Sequence, residues 1–226
     1  MFTRSLQTRA APQFTQGVQG GPIPIKGIND DSQRLKVYGE QLVCIAGDNS
    51  GSMSGAKASE ATAAIAACMQ ALADPVNKDG FRVSFVSYGS SAHLESSAVE
   101  PAILGAHLDG SGGGTELAPA LRIIGREIDG YAYRPGRARQ APVVIVFSDG
   151  CLADTASATA EAAVLKAKGA RLITIGFGGD VDAGTLQSIA SAPDHYAFAD
   201  VGQLKGLFAL VGKTLSQSMV RTGLMP

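Results

Sequence analysis

Apolar and polar residues follow one another along most of this chain in blocks that favour strands separated by helices. Two runs, 42–47 in a strand predicted at about 41–47 and 142–147 in a second strand, are apolar throughout, as expected for strands buried on both faces of a sheet. The block at 81–88 alternates apolar and polar positions, which predicts a strand with one face more exposed to water. A weaker strand at 92–99 is its predicted hairpin partner at a sheet edge. The remaining strands are predicted at 171–176 and 195–198.

The segments between these strands repeat apolar residues at three- and four-residue spacing, which predicts amphipathic helices. The first helix is rich in alanine and stops before Pro75, and the second is expected to carry Glu116 in its first turn, where a negative charge suits the helix dipole. Strands that alternate with helices imply a mainly parallel sheet covered on both faces, with functional loops at the carboxyl ends of its strands. The predicted helices span about 56–73, 116–129, 155–168, 183–191 and 201–218.

The two ends of the chain differ from this pattern. Residues 1–34 contain several prolines, a pair of adjacent glycines and repeated glutamines, and they show no helical or strand period of useful length. They are predicted to form an N-terminal extension that is irregular or partly ordered. A single domain is predicted over residues 35–220, followed by a short C-terminal tail at 221–226.

Composition narrows the class of protein further. The 226 residues are 45% hydrophobic with a formal net charge of −1, which suits a globular domain and gives no general attraction to nucleic acid or an anionic membrane. No apolar run approaches the roughly 18 residues that a membrane-spanning helix needs. Three cysteines argue against a disulfide framework, and the N-terminus is a poor signal peptide, so the cytoplasm is the expected compartment. Cys151, beside an apolar strand, is expected to be buried.

Polar side chains cluster in three of the loops that such a sheet would bring to one edge. Asp48, Ser50 and Ser52 follow the first strand, Thr115 precedes a helix, and Asp149 follows the central apolar strand. Any one of them could be an ordinary helix N-cap. Together they offer only hard oxygen donors, a set suited to Mg²⁺, less tightly to Mn²⁺ or Ca²⁺, and poorly to zinc. The two carboxylates would offset the positive field of nearby helix N-termini, so the loops predict a divalent-cation site.

The order and spacing of these residues resemble a known motif. The run Asp48–Met53, then Thr115 and then Asp149 is similar to the D-x-S-x-S, distant Thr and distant Asp of the metal-ion-dependent adhesion site in von Willebrand factor type A domains. The resemblance covers about residues 38–218. It implies an α/β, three-layer Rossmann-like fold with a mostly parallel six-stranded sheet and one antiparallel edge strand. It also implies that the three hydroxyls bind the metal, and that the two carboxylates bind it directly or through water.

The same resemblance implies a non-enzymatic function. A domain of this family would act as a scaffold or adaptor that captures a protein partner by binding the partner's Asp or Glu side chain at the metal. The chain is similar in length and layout to bacterial stand-alone members, including those associated with tellurite-resistance and stress operons. In that setting an ATPase, kinase or phosphatase from the same operon is the expected partner, and neither nucleic acid nor a membrane is expected.

Two other functions stay open from the sequence. A serine hydrolase could use Ser50 or Ser52 with Asp149 and His195, in the Ser…Asp…His order of α/β-hydrolases, although no G-x-S-x-G elbow is present. A purely structural domain could carry an unused metal site. A nucleotide site is disfavoured because the run before Lys57 does not match a phosphate-binding loop, which makes Lys57 a solvated helix residue.

Overall fold

The computed structural model describes residues 39–77, 79–134 and 138–222 of the chain. The predicted N-terminal extension at 1–34 lies outside the described residues, as do residues 223–226 of the predicted tail. In the described part, six strands form one sheet in the order β3-β2-β1-β4-β5-β6. No helix there is long and apolar enough to cross a membrane.

The strands confirm the predicted sheet, mostly parallel with one antiparallel strand at an edge. β1 lies in the centre and pairs in parallel with β2 on one side and with β4 on the other. β3 pairs antiparallel with β2, and β5 and β6 extend the parallel part beyond β4. The strands are β1 (Gln41–Asp48), β2 (Phe81–Tyr88), β3 (Ala92–Val99), β4 (Val143–Ser148), β5 (Arg171–Phe177) and β6 (Tyr196–Ala199).

Helices cover both faces of the sheet and complete the predicted three-layer α/β fold. α1 and α5 pack together on one face, whereas α2, α3 and α4 lie on the other. Each begins and ends within a few residues of its predicted bounds. The helices are α1 (Ala56–Leu72), α2 (Ala118–Ala132), α3 (Thr155–Ala167), α4 (Ala183–Ile189) and α5 (Leu204–Thr222).

The apolar run of β1 is buried on both sides because alternate side chains enter the two halves of the core. Val43 and Ile45 pack with the layer of α1 and α5, and Leu42 and Cys44 pack with the layer of α2 and α3. All four side chains are completely buried. Burial of a large apolar side chain stabilises the fold by about 1.5–3 kcal/mol, which explains the unbroken apolar run from Leu42 to Gly47 in the central strand.

The prediction of a solvent-exposed face on β2 was wrong. Ser84 and Ser87, two of its three polar residues, are buried, and the third, Arg82, is half-buried. The serine hydroxyls donate hydrogen bonds to two carboxylates, Ser84 to Glu127 of α2 at 2.7 Å and Ser87 to Glu95 of β3 at 2.6 Å. The alternating pattern therefore reflects satisfied polar groups under a helix and an edge strand, because a buried hydroxyl is tolerated once it has a partner.

The order of the strands determines where loops can form a site. The chain leaves β1 toward α1 on one face of the sheet and leaves β4 toward α3 on the opposite face. Since β1 and β4 are neighbours, their carboxyl ends border a crevice between diverging connections. This is the position at which open α/β sheets bind ligands.

An ionic cluster around Glu40, just before β1, lies at the opposite end of the strands from the crevice. The Tyr131 hydroxyl donates to this carboxylate at 2.7 Å, Arg139 forms an ion pair with it, and Arg82 Nε lies 3.3 Å from its other oxygen. The Arg139 guanidinium also lies 4.2 Å from the centroid of the Tyr131 ring. The cluster joins β1, β2 and the end of α2, so it fixes the start of the central strand.

We expect the Glu40 cluster to make stability depend on pH. Burial raises the pKa of Glu40, but hydrogen bonds from Tyr131 and Arg139 and the charges of Arg139 and Arg82 outweigh it, so the net pKa lies below its usual value. A carboxyl with a lowered folded-state pKa stabilises the fold above its unfolded pKa of about 4.3 and loses this contribution as the pH falls further. Glu40→Gln should therefore lower the free energy of unfolding by about 1–3 kcal/mol at pH 7, and by less at pH 4.

Urea denaturation of both proteins at the two pH values measures this difference. Glu161→Gln is the matched control, because Glu161 pairs with Arg122, whose side chain is 54% exposed, and such pairs contribute about 0–1 kcal/mol. A Glu40→Gln effect no larger than the control's, or one that grows on acidification, would contradict the assignment.

Candidate functional site

Four of the five predicted ligands are joined by one chain of hydrogen bonds at the carboxyl ends of β1 and β4. The backbone N–H of Ser50 donates to Asp48 Oδ1 at 2.8 Å. Ser50 Oγ lies 3.0 Å from Ser52 Oγ, which in turn donates to Asp149 Oδ1 at 2.7 Å. The structure therefore brings the side chains of Asp48, Ser50, Ser52 and Asp149 together, as the sequence predicts.

The turn after β1 explains why these side chains converge. Asp48 ends the strand, and a short 3₁₀ turn, Gly51–Met53, follows before α1. Met53 at the end of this turn is completely buried and anchors it to the core below, whereas Ser52 stays exposed. The turn thus directs the polar side chains toward the crevice and its one large apolar side chain away from it.

The loop that carries Thr115 lies against both of the other loops. Gly51 N–H donates to the carbonyl of Gly113 at 2.8 Å, and Ala153 N–H donates to the carbonyl of Thr115 at 2.9 Å. The backbone approaches so closely that a Cβ at Gly112 would lie 2.8 Å from the carbonyl oxygen of Asn49. Thr115 is half-buried, but within the described ranges no hydrogen bond joins its hydroxyl to the other four predicted ligands.

The two acidic side chains are almost completely removed from water, with relative exposures of 0% for Asp48 and 1% for Asp149. Burial raises the pKa of Asp48, hydrogen bonds from Ser148 and Ser50 lower it, and the charge of Asp149 raises it further, for a net increase. The Ser148 hydroxyl donates to Asp48 Oδ2 at 2.6 Å. Two buried acids so close together repel each other, which favours a cation between them.

Lys57 departs from its prediction as a solvated residue. It lies in the first turn of α1, and its Nζ is 2.5 Å from Asp149 Oδ2. Its side chain is 28% exposed, whereas the Asp149 side chain is completely buried. The lysine therefore supplies a positive charge directly to one of the two acids of the site.

Two further residues hold the loops in place and were not identified from the sequence. Asn49 Oδ1 accepts hydrogen bonds from the backbone N–H groups of Asp109, at 2.9 Å, and Gly110, at 2.8 Å. The Tyr88 hydroxyl, at the end of β2, donates to the carbonyl of Phe147 on β4 at 2.9 Å. Their positions at the ends of strands were the signal available in the sequence. Their hydrogen-bond partners, however, are distant along the chain.

Asp154 caps the helix that follows the Thr115 loop, which corrects the expectation for Glu116. Its two carboxylate oxygens accept hydrogen bonds from the backbone N–H groups of Leu117, at 3.0 Å, and Ala118, at 2.7 Å. α2 begins at Ala118, so Glu116 lies before the helix and is exposed. The negative charge at this N-terminus thus comes from the loop after β4 rather than from the helix itself.

The structure does not bring His195 to the two serines, as a hydrolase would require. His195 precedes β6, whose first residue pairs with Thr174 in the middle of β5. Thr174 in turn pairs with Val146 of β4, so His195 lies level with a point about 13 Å before Asp149 along the strand direction, at about 3.3 Å per residue. It is also two strands away from β4.

Cys151, two residues after Asp149, is exposed, and the expectation that it would be buried was wrong. Its Sγ lies 3.7 Å from the carbonyl oxygen of Asp180. The apolar strand ends at Ser148, so Cys151 already belongs to the loop above the sheet. Cys44 and Cys68, by contrast, are buried.

The donor set fits a hard divalent cation that keeps part of its water. Among the residues that the structure describes, no group of three or more His, Cys, Asp or Glu side chains is placed to hold a metal ion. The crevice has two carboxylates, so hydroxyl groups and water would provide most ligands of a bound cation. Oxygen ligands with retained water are typical of Mg²⁺, and less so of Ca²⁺.

Comparisons with known proteins agree with the fold described above. A model of the von Willebrand factor type A domain family matches residues 43–209, well over half of the chain. No curated protein shows significant sequence similarity to the chain.

Several solved structures share the fold. Proximal thread matrix protein 1 from the mussel byssus, solved with a zinc-occupied MIDAS motif, is 18% identical over 79% of this chain and 48% of that one, with a TM-score of 0.59. This chain therefore spans about half the length of the byssal protein. The vWF domain of the type V pili tip protein Mfa5 from Porphyromonas gingivalis is 15% identical over 81% and 97% of the two chains, with a TM-score of 0.64. A von Willebrand factor type A protein from Catenulispora acidiphila is 19% identical over 80% and 43%, with a TM-score of 0.63.

The capping role of Asp154 can be tested by its removal. Asp154→Ala should lower the free energy of unfolding by about 1–2 kcal/mol, since two N–H groups at the start of α2 lose their acceptor. Asp154→Asn should cost less, because its amide oxygen can still accept one of these hydrogen bonds. Urea denaturation of both variants measures the effect, with exposed Asp194→Ala as the control. Equal stabilities of Asp154→Ala and the control would show that the cap is unimportant.

Proposed function

This chain belongs to the von Willebrand factor type A family, and we propose that it is a non-enzymatic domain that binds a protein partner through a divalent metal ion. The partner would present an Asp or Glu side chain to the ion, and the domain would act as a scaffold or adaptor. The proposed ligands of the ion are Asp48, Ser50, Ser52, Thr115 and Asp149.

One observation supports this proposal above the others: two buried acids lie beside an exposed serine. Asp48 and Asp149 are almost completely buried at the end of the sheet, whereas Ser52, whose hydroxyl donates to Asp149 and contacts that of Ser50, is exposed. A cation at this point would neutralise the acids and still face solvent on the side of Ser52. A bound ion would supply a positive charge with an open coordination position there, which a carboxylate from outside the chain could fill.

The chain's own groups would orient the ligands for this role. Ser148 and the backbone of Ser50 fix the Asp48 carboxylate through one hydrogen bond to each oxygen. Hydrogen bonds to the backbone of Gly51 and Ala153 hold the Thr115 loop between the other two loops. Such partners fix the orientation of metal ligands, and their loss typically weakens metal binding by 10–100-fold.

The oxygen donors favour Mg²⁺, with Mn²⁺ or Ca²⁺ as alternatives. The mussel byssal protein was solved with zinc in its MIDAS motif, so zinc belongs in any binding test even though the donor types suit it poorly. The names of the related proteins, a pilus-tip protein among them, are consistent with a domain used for adhesion or interaction. A bacterial stand-alone type, a link to tellurite-resistance or stress operons, an ATPase, kinase or phosphatase as partner and a cytoplasmic location stay predictions from the sequence.

We expect capture of a partner to require both the metal and Asp48. Affinity purification with the immobilised protein should recover a partner from source cells in Mg²⁺ and lose it in EDTA. Asp48→Asn should also lose it, because this nearly isosteric change removes one negative charge from the site. Asp129→Asn removes a charge from an exposed carboxylate on α2 and serves as the matched control. Equal recovery in Mg²⁺ and EDTA would contradict metal-mediated binding and favour a structural domain with an unused site.

The hydrolase alternative predicts a reactive serine, and our proposal predicts none. A fluorophosphonate probe labels serines whose hydroxyl is activated by a neighbouring base. We expect no labelling of Ser50 or Ser52 by mass spectrometry, since their hydroxyls contact each other and Asp149 rather than His195. Stoichiometric labelling of either serine would establish a nucleophile and overturn the non-enzymatic proposal.

A further inference from the structure

We propose that Lys57 is a built-in competitor of the divalent cation, whose ammonium group occupies Asp149 and must leave it when the ion binds. The inference rests on the proposed metal site and adds to it a residue that limits the affinity for metal. Lys57 is not one of the five proposed ligands. A protonated amine has no lone pair and so cannot bind a metal.

The contact itself is short and involves a buried partner. Lys57 Nζ lies 2.5 Å from Asp149 Oδ2, while Asp149 Oδ1 accepts the hydrogen bond of Ser52. Both oxygens of Asp149 therefore already have a donor from the chain. An ion bonded to Oδ2 would lie close to the ammonium group, and the repulsion between the two positive charges makes them compete for this oxygen.

The position of Lys57 in its helix is unfavourable unless it serves this contact. It is the second residue of α1, whose first turn contains no acidic residue. The N-terminus of a helix carries a partial positive charge, which typically disfavours a lysine by a few tenths of a kcal/mol or more. The gain that offsets this cost is the ion pair with Asp149, which joins the start of α1 to the end of β4.

The surroundings leave room for the lysine at the end of the neighbouring strand. Gly178 follows β5 with φ of +84°, and a Cβ built there would lie 3.8 Å from both Cε and Nζ of Lys57. The aliphatic part of the lysine thus passes over a residue that has no side chain. With 28% of its side chain exposed, the ammonium group can exchange Asp149 for water without unfolding.

Two opposite effects of removing the lysine follow. Without a divalent ion, loss of Lys57 leaves the buried Asp149 without its positive partner, and breaking one side of such a pair is destabilising. With the ion, loss of Lys57 removes both a competitor for Oδ2 and a repulsive positive charge nearby. The same substitution should therefore weaken the metal-free protein and strengthen metal binding.

Calorimetric titration with Mn²⁺ and Mg²⁺ measures the second effect. We expect Lys57→Gln to bind the ions about tenfold more tightly than the wild type, equivalent to about 1.4 kcal/mol. Lys57→Arg, which keeps the positive charge, should bind like the wild type or more weakly. Lys168→Gln removes a positive charge from an exposed pair with Asp129 and should leave the affinity unchanged. In EDTA, thermal unfolding of Lys57→Gln should occur at a lower temperature than that of the wild type.

A second measurement uses the wild-type protein and does not depend on how a variant folds. Acetylation of lysines by a limiting reagent, followed by mass spectrometry, reports the accessibility of each amine. Saturation with Mn²⁺ should increase the acetylation of Lys57 several-fold relative to that of Lys168, because the ion displaces the ammonium group into solvent.

The outcomes separate this inference from the proposed metal site. Wild-type protein that binds Mn²⁺, with a Lys57→Gln variant that binds it equally or more weakly, overturns the inference and leaves the metal site intact. Unchanged acetylation of Lys57 in metal-saturated protein does the same. Binding by Lys57→Gln alone supports the inference, since the lysine then blocks the site. No binding of Mg²⁺, Mn²⁺, Ca²⁺ or Zn²⁺ by either protein overturns both proposals.

Discussion

Two carboxylates, Asp48 and Asp149, are buried at the carboxyl ends of two neighbouring and largely apolar strands, β1 and β4. Isolated charges in such a place are costly, so each oxygen must find a donor or a cation. Asp48 receives an amide and a hydroxyl, whereas Asp149 receives a hydroxyl and an ammonium group. The turn after β1, the first turn of α1 and the loop after β4 all contribute to this compensation. The geometry of the site thus provides a hydrogen-bond donor or a positive charge for each oxygen of the two buried acids.

The core below the site makes this burial possible and links it to the last helix. Phe147, two residues before Asp149, contacts Phe208 of α5 edge to face, with ring centroids 5.5 Å apart and planes at 84°. Glu60 of α1 accepts hydrogen bonds from the backbone of Gly202, at 2.7 Å, just before α5. Helix α5 is therefore fixed both to α1 and to β4, the strand that ends just before Asp149.

Much of the fold could be predicted because burial on both faces leaves a clear pattern. The apolar runs of β1 and β4 and the periodic alanines of α1 can be recognised from neighbouring residues alone. These segments are all buried in the core beside the sheet. The solvent-exposed face of β2 was mispredicted because Glu127, the partner of Ser84, lies 43 positions further along the chain. The start of α2 was placed too early for a similar reason, since its cap comes from Asp154 in another loop.

The candidate site shows the same difference between local and distant contacts. Asp48, Ser50 and Ser52 lie in one turn, and the motif of which they are part also identified Asp149, which the structure joins to them through Ser52. The role of Lys57 could not be predicted, because its partner is 92 positions away and a lysine at a helix start is usually solvated.

The position of a bound ion would show whether the crevice between β1 and β4 is a cation site. Crystals of the protein grown with Mn²⁺ and measured at a wavelength where manganese scatters anomalously would reveal its position without assumptions about ligands. We expect one strong anomalous peak in the crevice between β1 and β4, within about 2–2.5 Å of oxygens from the Asp48 turn. Lys57 Nζ should then have moved away from Asp149. A structure at saturating Mn²⁺ with no peak in this crevice would contradict a cation site formed by these residues.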